Sequence, residues 1–278
     1  MFKRILFVSE GRDGDLEAMK QALVLAGANA SSLDILVVHS GVPDASSTYL
    51  PAFEAFLAQQ AETCLQQAQA TGAPAPSGPV SVRVEGGHAP DVRIVQEVLR
   101  NGHDLVIKAA ASGTDGRGFQ ALDMGLLRKC PVPLWLHRPR GGTESGSFQV
   151  AVAIDPRESK EGLLARHLLQ LADGIADLLG ARLSVLSCWD YALEGYLRNH
   201  VFASGSDDGQ LQQAVTEERC RHRAELAKLI RLADLNTRPS IHHPRGRPIN
   251  SFPTMLPPRA LISWSWAPSP APASPDSS

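Results

Sequence analysis

The segment ASGTDGRGFQALDMGLL, Ala111 to Leu127, carries Gly113 and Gly116 with two residues between them, and Gly125 after a further eight. It leads from an apolar run into a helical pattern. Unbonded amides of a glycine-rich turn at a helix N-terminus can hold a phosphate, because the dipole favours anions and glycine lets the backbone approach closely. Asp115 and Asp123 would place negative charge beside such an anion, so a plain strand-to-helix loop stands as the alternative. Asp155, in VAIDP, ends another apolar run, and on local chemistry it is a turn or helix-capping residue before Pro156.

Other polar groups promise less. His242 and His243 are sequential at a strand end, where side chains alternate faces, so they are expected in solvent and not on a shared metal. Glu217, Glu218, Arg219, Arg221 and Arg223 form a charge run that reads as a solvated helix face. Cys64, Cys130, Cys188 and Cys220 are far apart and include no C-x-x-C pair, so free thiols, buried or partly buried, are expected, with neither disulfides nor zinc. The chain has no H-E-x-x-H, Walker loop, nucleophile elbow or Ser/His/Asp order, and no enzymatic activity is expected.

The elements that must position these residues alternate. KRILFVS (Lys3 to Ser9), LDILVVH (Leu33 to His39), Val80 to Glu85, DLVIKA (Asp104 to Ala109) and Val132 to His137 read as strands. Between them run helical patterns. Leu16, Met19, Leu23 and Ala26 are expected inward on the first helix, Phe53, Phe56, Leu57, Ala61 and Leu65 on the second, and Val92, Val95 and Leu99 on the third; a fourth runs from Phe119 to Lys129. Five strands alternating with four helices predict a doubly wound α/β domain with a mostly parallel sheet.

After the polar connector 139–147 the pattern restarts: FQVAVAI at Phe148 repeats FKRILFV at Phe2, 146 residues earlier, and RLSVLS at Arg182 echoes LDILVV at Leu33. The division expected is therefore a first domain at 1–138, a partial second at 148–247 and a non-globular tail at 248–278. At 278 residues, 43% hydrophobic and 20% charged, the chain has material for two such domains. Its net charge of −2, with no long Lys/Arg run, points away from nucleic acid and anionic membranes. Without an apolar run of about 18 residues or a signal-like start, a soluble, cytoplasmic protein is expected.

The run DLVIKAA from Asp104, the segment LLRKCPVPLW from Leu126 to Trp135, the restart VAIDP and the duplication itself resemble the universal stress proteins of the tandem type, from Phe2 to about Arg247. The resemblance implies a non-enzymatic stress-response protein. It implies ATP as ligand of the intact form, no metal, and either a homodimer or an intramolecular pairing of domains. In that family an Asp at the end of the first strand meets the adenosine, and a loop G-x2-G-x9-G-[ST] wraps the phosphates. Asp155 occupies the first place in the second domain, whereas Ser9 and Glu10 stand there in the first. The first domain's loop is one residue short, with Leu126 where the hydroxyl belongs. Each domain thus holds half a site. An adenylating or nucleotidyl-transfer enzyme on a related fold would need S-G-G-x-[DS] after its first strand, and SEGRDGD and DPRESKE do not supply it.

The tail departs most. Ile249 to Ser278 has seven prolines and a Pro/Ala/Ser-rich end, the composition of a disordered segment, where two strands, two helices and a phosphate loop are due. Back-translated with ordinary codons and read one frame over, the same stretch yields D-Q-L-I-P, an Ala-rich helix, and D-L-L-V-M-G-T-V-A-R-T-G-I-A-G-L-L-I-G. A one- or two-nucleotide frameshift near Arg247, in the gene or in its sequencing, is the expectation, with a poorly stable second half and a loosely attached tail.

Overall fold

Strand β1 (Arg4–Ser9) is buried along all but its first residue, as a strand covered on both faces requires. With α1 (Asp15–Asn29) and β2 (Ser32–His39) it forms the first right-handed unit, in register from Arg4 opposite Ser32 to Ser9 opposite Val37. The chain continues through α2 (Leu50–Ala70), β3 (Ser81–Gly86), α3 (Pro90–Asn101), β4 (Leu105–Ala109), α4 (Ala121–Lys129) and β5 (Leu134–His137). The computed structural model describes residues 2–11, 14–41, 48–76, 78–110, 120–137, 149–157, 162–201, 208–246 and 263–265. Two compact units emerge, one from the described residues of Met1–Arg140 together with Ser263–Ser265, the other from those of Gly141–Leu261.

In the first unit five parallel strands lie in the order β3-β2-β1-β4-β5, so the chain reverses its winding between β1 and β4. Leu6, Val8, Leu36, Val38, Val106 and Leu134 pack there with Ile94, Val98 and Leu126 from α3 and α4. A sixth strand, β9 (Ser263–Ser265), adds antiparallel to β5, with Trp135 opposite Trp264. This corrects the expected tail at those three residues, which extend a sheet; the remainder of 249–278 lies outside the described residues.

Two helix faces differ from the periodicity reading. Leu57 and Ala61 are buried on α2, but Phe53 and Phe56 are exposed. On α3 the buried residues are Ile94, Glu97 and Val98, whereas Val92 and Leu99 face solvent. Both helices lie beside the half-covered edge strand β3, and Glu97 is drawn inward by Arg83 of that strand and by Asn101. The inward face of α3 is thus the Ile94/Val98 stripe, with Glu97 buried beside it on its ion pair.

The second unit repeats the opening: β6 (Gln149–Ala153), α5 (Leu163–Leu178), β7 (Arg182–Leu186), a short α6 (Glu194–Tyr196) running into a π-turn at Leu197–Val201, the 26-residue α7 (Asp208–Ala233), and β8 (Ser240–His242). Its parallel sheet has the order β6-β7-β8, matching β1-β2-β3. Ile154, Leu169, Val185, Leu226 and Leu229 form its core. Buried Asp173 of α5 accepts the backbone N–H groups of Asn236 (2.8 Å) and Thr237 (3.1 Å), holding the turn that delivers β8.

Candidate functional site

In a doubly wound sheet the ligand crevice opens at the carboxyl ends of the strands where the winding reverses. In the first unit that place is between the ends of β1 and β4. It holds Lys108, whose side chain is only 2% exposed. Its ammonium lies 2.6 Å from Glu10 Oε2 and 2.9 Å from Asp123 Oδ1, and it donates to the carbonyl of Ala109 at 2.9 Å. Asp123, with no exposed side-chain surface, rises from the first turn of α4. A buried ammonium needs such partners, since an uncompensated charge there is strongly destabilising. Next to it Ser9 Oγ donates to Asp15 Oδ2 at 2.5 Å and accepts the N–H of Gly11 at 3.0 Å.

Asp123, expected as an unfavourable charge beside a bound anion, is therefore neutralised from within by Lys108. Gly125 lies inside α4, where an added Cβ would come within 2.8 Å of Asp91 Oδ2 on α3. Gly113, Gly116 and Asp115 lie outside the described residues. Lys108 was missed because DLVIKA reads as an apolar strand; a lone lysine in such a run was the available signal.

In the second unit Asp155 follows β6 and its side chain is 48% exposed. Its Oδ1 accepts the backbone N–H of Arg157 at 2.9 Å, closing an Asx turn over Pro156, as the local reading expected. Arg157 also donates to Glu218 Oε1 at 2.9 Å, and Arg221 bonds the other oxygen of the same carboxylate. Glu218 is 5% exposed, so this member of the charge run is no part of a solvated face. The strand-end histidines also depart from expectation. His242 and His243 are half-buried, and His243 is bonded to His222 of α7. Cys220 is exposed and not buried, while Cys130 is buried and Cys64 and Cys188 are half-buried; all four are free thiols. Among the described residues no group of three His, Cys, Asp or Glu is placed to hold a metal, and no helix is long and apolar enough to cross a membrane.

With this geometry in view, the relatives fall into place. The family model described as "Universal stress protein family" matches residues 1–138. The chain belongs to the universal stress protein family. Universal stress protein E of Escherichia coli K12 is 34% identical over 94 residues, covering 33% of this chain and 30% of that protein. The same protein of Photorhabdus laumondii is 33% identical over 101 residues, covering 35% and 32%. The matched stretch thus spans about a third of the length of these relatives. Among solved structures, a protein of Pseudomonas aeruginosa UCBPP-PA14 assigned to this family aligns over 91% of this chain and 78% of its own with a TM-score of 0.57 at 18% identity. A universal stress protein of Archaeoglobus fulgidus DSM 4304 aligns over 91% and 80% with a TM-score of 0.54 at 13% identity. At such identities the likeness shows the fold. Within this frame the second unit repeats the opening of the first, and among the described residues its sheet has three strands.

Proposed function

We propose that this chain is a non-enzymatic, cytoplasmic stress-response module in which the first unit is structural and nucleotide binding belongs to the second. The observation that carries this reading is Lys108. A side-chain ammonium stands where an incoming ligand would have to enter the first crevice, already matched by Glu10 and Asp123. Entry of a triphosphate would bring further anions against those two carboxylates. The second unit offers Asp155, accessible at the end of β6, and a phosphate loop for it would come from the shifted frame inferred after Arg247. ATP is accordingly the ligand of the frame-restored protein and not of the chain as written.

Thermal melting with millimolar Mg-ATP tests this. The written chain should show no shift, whereas the frame-restored chain should be stabilised and should lose that response in Asp155→Ala. A shift in the written chain that Lys108→Met abolishes would overturn the assignment of the first unit. Resequencing across the codons for His243 to Ser251 tests the frame directly.

A further inference from the structure

His222 sits midway along α7 with no exposed side-chain surface. Its Nδ1 lies 2.9 Å from Nε2 of His243, immediately after β8. Its Nε2 has no hydrogen-bond partner and faces Asp155 Oδ1 at 3.8 Å. A neutral imidazole carries one donor and one acceptor, so the short contact requires a proton on one facing nitrogen and none on the other. The Asp155 carboxylate favours the proton on Nε2 of His222. Nδ1 is then the acceptor and His243 the donor, with both rings neutral.

The surroundings keep them so. Burial first, then the Arg157 guanidinium, holds His222 below the ordinary histidine range, outweighing the opposing pull of Asp155, Glu225 and Glu218. Burial, then His222, Arg223 and Arg219, holds His243 below that range as well. His243 also stacks on Trp189, after β7, with centroids 6.1 Å apart and planes inclined by 20°. The Arg245 guanidinium lies 5.5 Å from the same indole ring and pairs with Asp190 and Glu194. Behind this contact the strand end is thinly held: Ser187 N–H to His242 O at 2.9 Å, Trp189 N–H to Pro244 O at 3.2 Å, and Gly246 N–H to Trp189 O at 2.9 Å.

We propose that the His222–His243 pair is an acid-released latch that fastens α7 to the end of β8 and frees the segment Ile241–Gly246 when the pair takes up protons. Once both rings are charged, two donors face each other and the bond is lost. Because both groups bind protons less readily folded than unfolded, their contribution is complete above about pH 6.5, the unperturbed histidine value, and declines as pH falls below it.

Hydrogen exchange on the full chain, corrected for intrinsic rates, tests the latch at pH 7.5 and 5.5. Amides of 187–189, 241–243 and 245–246 should lose about tenfold or more of their protection at the lower pH while β1 and β2 keep theirs. His243→Gln, whose amide can donate to His222 without titrating, should flatten that difference; His242→Gln should retain it. In the wild-type chain the two ring resonances should titrate as a coupled pair with both midpoints below 6.5. Unchanged wild-type protection, an undiminished pH response in His243→Gln, or independent titration near 6.5 would each overturn the proposal.

Discussion

The two units begin alike and end differently at the same place, the carboxyl ends of their first strands. In the first, β1 is flanked by β2 and β4, and β4 brings Lys108 to lie between Glu10 and Asp123. In the second, β6 is paired with β7, and among the described residues no strand stands where β4 would be. The carboxylate there, Asp155, stays half in water and turns to its own backbone and to Arg157. In the first unit the fourth strand thus supplies the internal cation that lies between the two carboxylates, and in the second Asp155 meets Arg157 and its own turn. Duplication gave both units the same opening; what is added after the third strand sets their chemistry.

The largest break in this comparison should come from Lys108→Met. It leaves Asp123 buried, and Glu10 mostly so, without the ammonium, a loss on the order of 3–5 kcal/mol. Denaturant unfolding followed through Trp135 should show the first unit destabilised by that amount, and the triple variant with Glu10→Gln and Asp123→Asn should recover much of it. Loss of less than about 1 kcal/mol would mean that the triad is solvated and the crevice open.

A somewhat smaller effect sharpens the same contrast from the other side. Restoring the frame after Arg247 should make the second unit respond to ATP, with a gain of about 2.7 kcal/mol at a hundred times Kd. Asp155→Ala should remove the gain while leaving the first unit's melting unchanged. A restored chain that ignores ATP would mean that the two crevices are equally closed.

How much of this was legible follows the same divide. The strands β1, β2, β4 and β5 are buried on both faces, and their apolar runs announced them and the sheet they form. The burial of Glu97 on α3 was not legible, since it answers to Arg83 on another element. Lys108 was hidden by its apolar neighbours, and Glu218 and His222 by the charged helix around them. Each gains its role from a partner distant in sequence: Glu10 is 98 residues from Lys108, and Arg157 is 61 from Glu218. Periodicity reports which face a helix turns inward, not which charge meets it there.

Asp173→Ala probes whether the incomplete unit has a firm framework of its own. Two backbone donors would lose their carboxylate at the turn into β8, which should destabilise the second unit by about 2 kcal/mol and leave the first untouched. Proteolysis at 235–240 should rise in parallel. If the variant melts like wild type, that turn is held by its neighbours and not by Asp173.

The smallest perturbation asks the same question without changing the fold. Burial, reinforced by the negative charge of Asp15, pushes the Cys64 thiol of α2 up to about 11, so at pH 8 only about one molecule in a thousand carries the thiolate that reacts. Cys130 is buried and raised by desolvation as well. Cys220, exposed on α7, has no such shelter. A thiol reagent at pH 8 should therefore label exposed Cys220 first, with Cys64 and Cys130 much slower and reacting only as the first unit opens. Prompt labelling of Cys64 would mean that α2 is loose on its sheet, and that the first unit is no better sealed than the second.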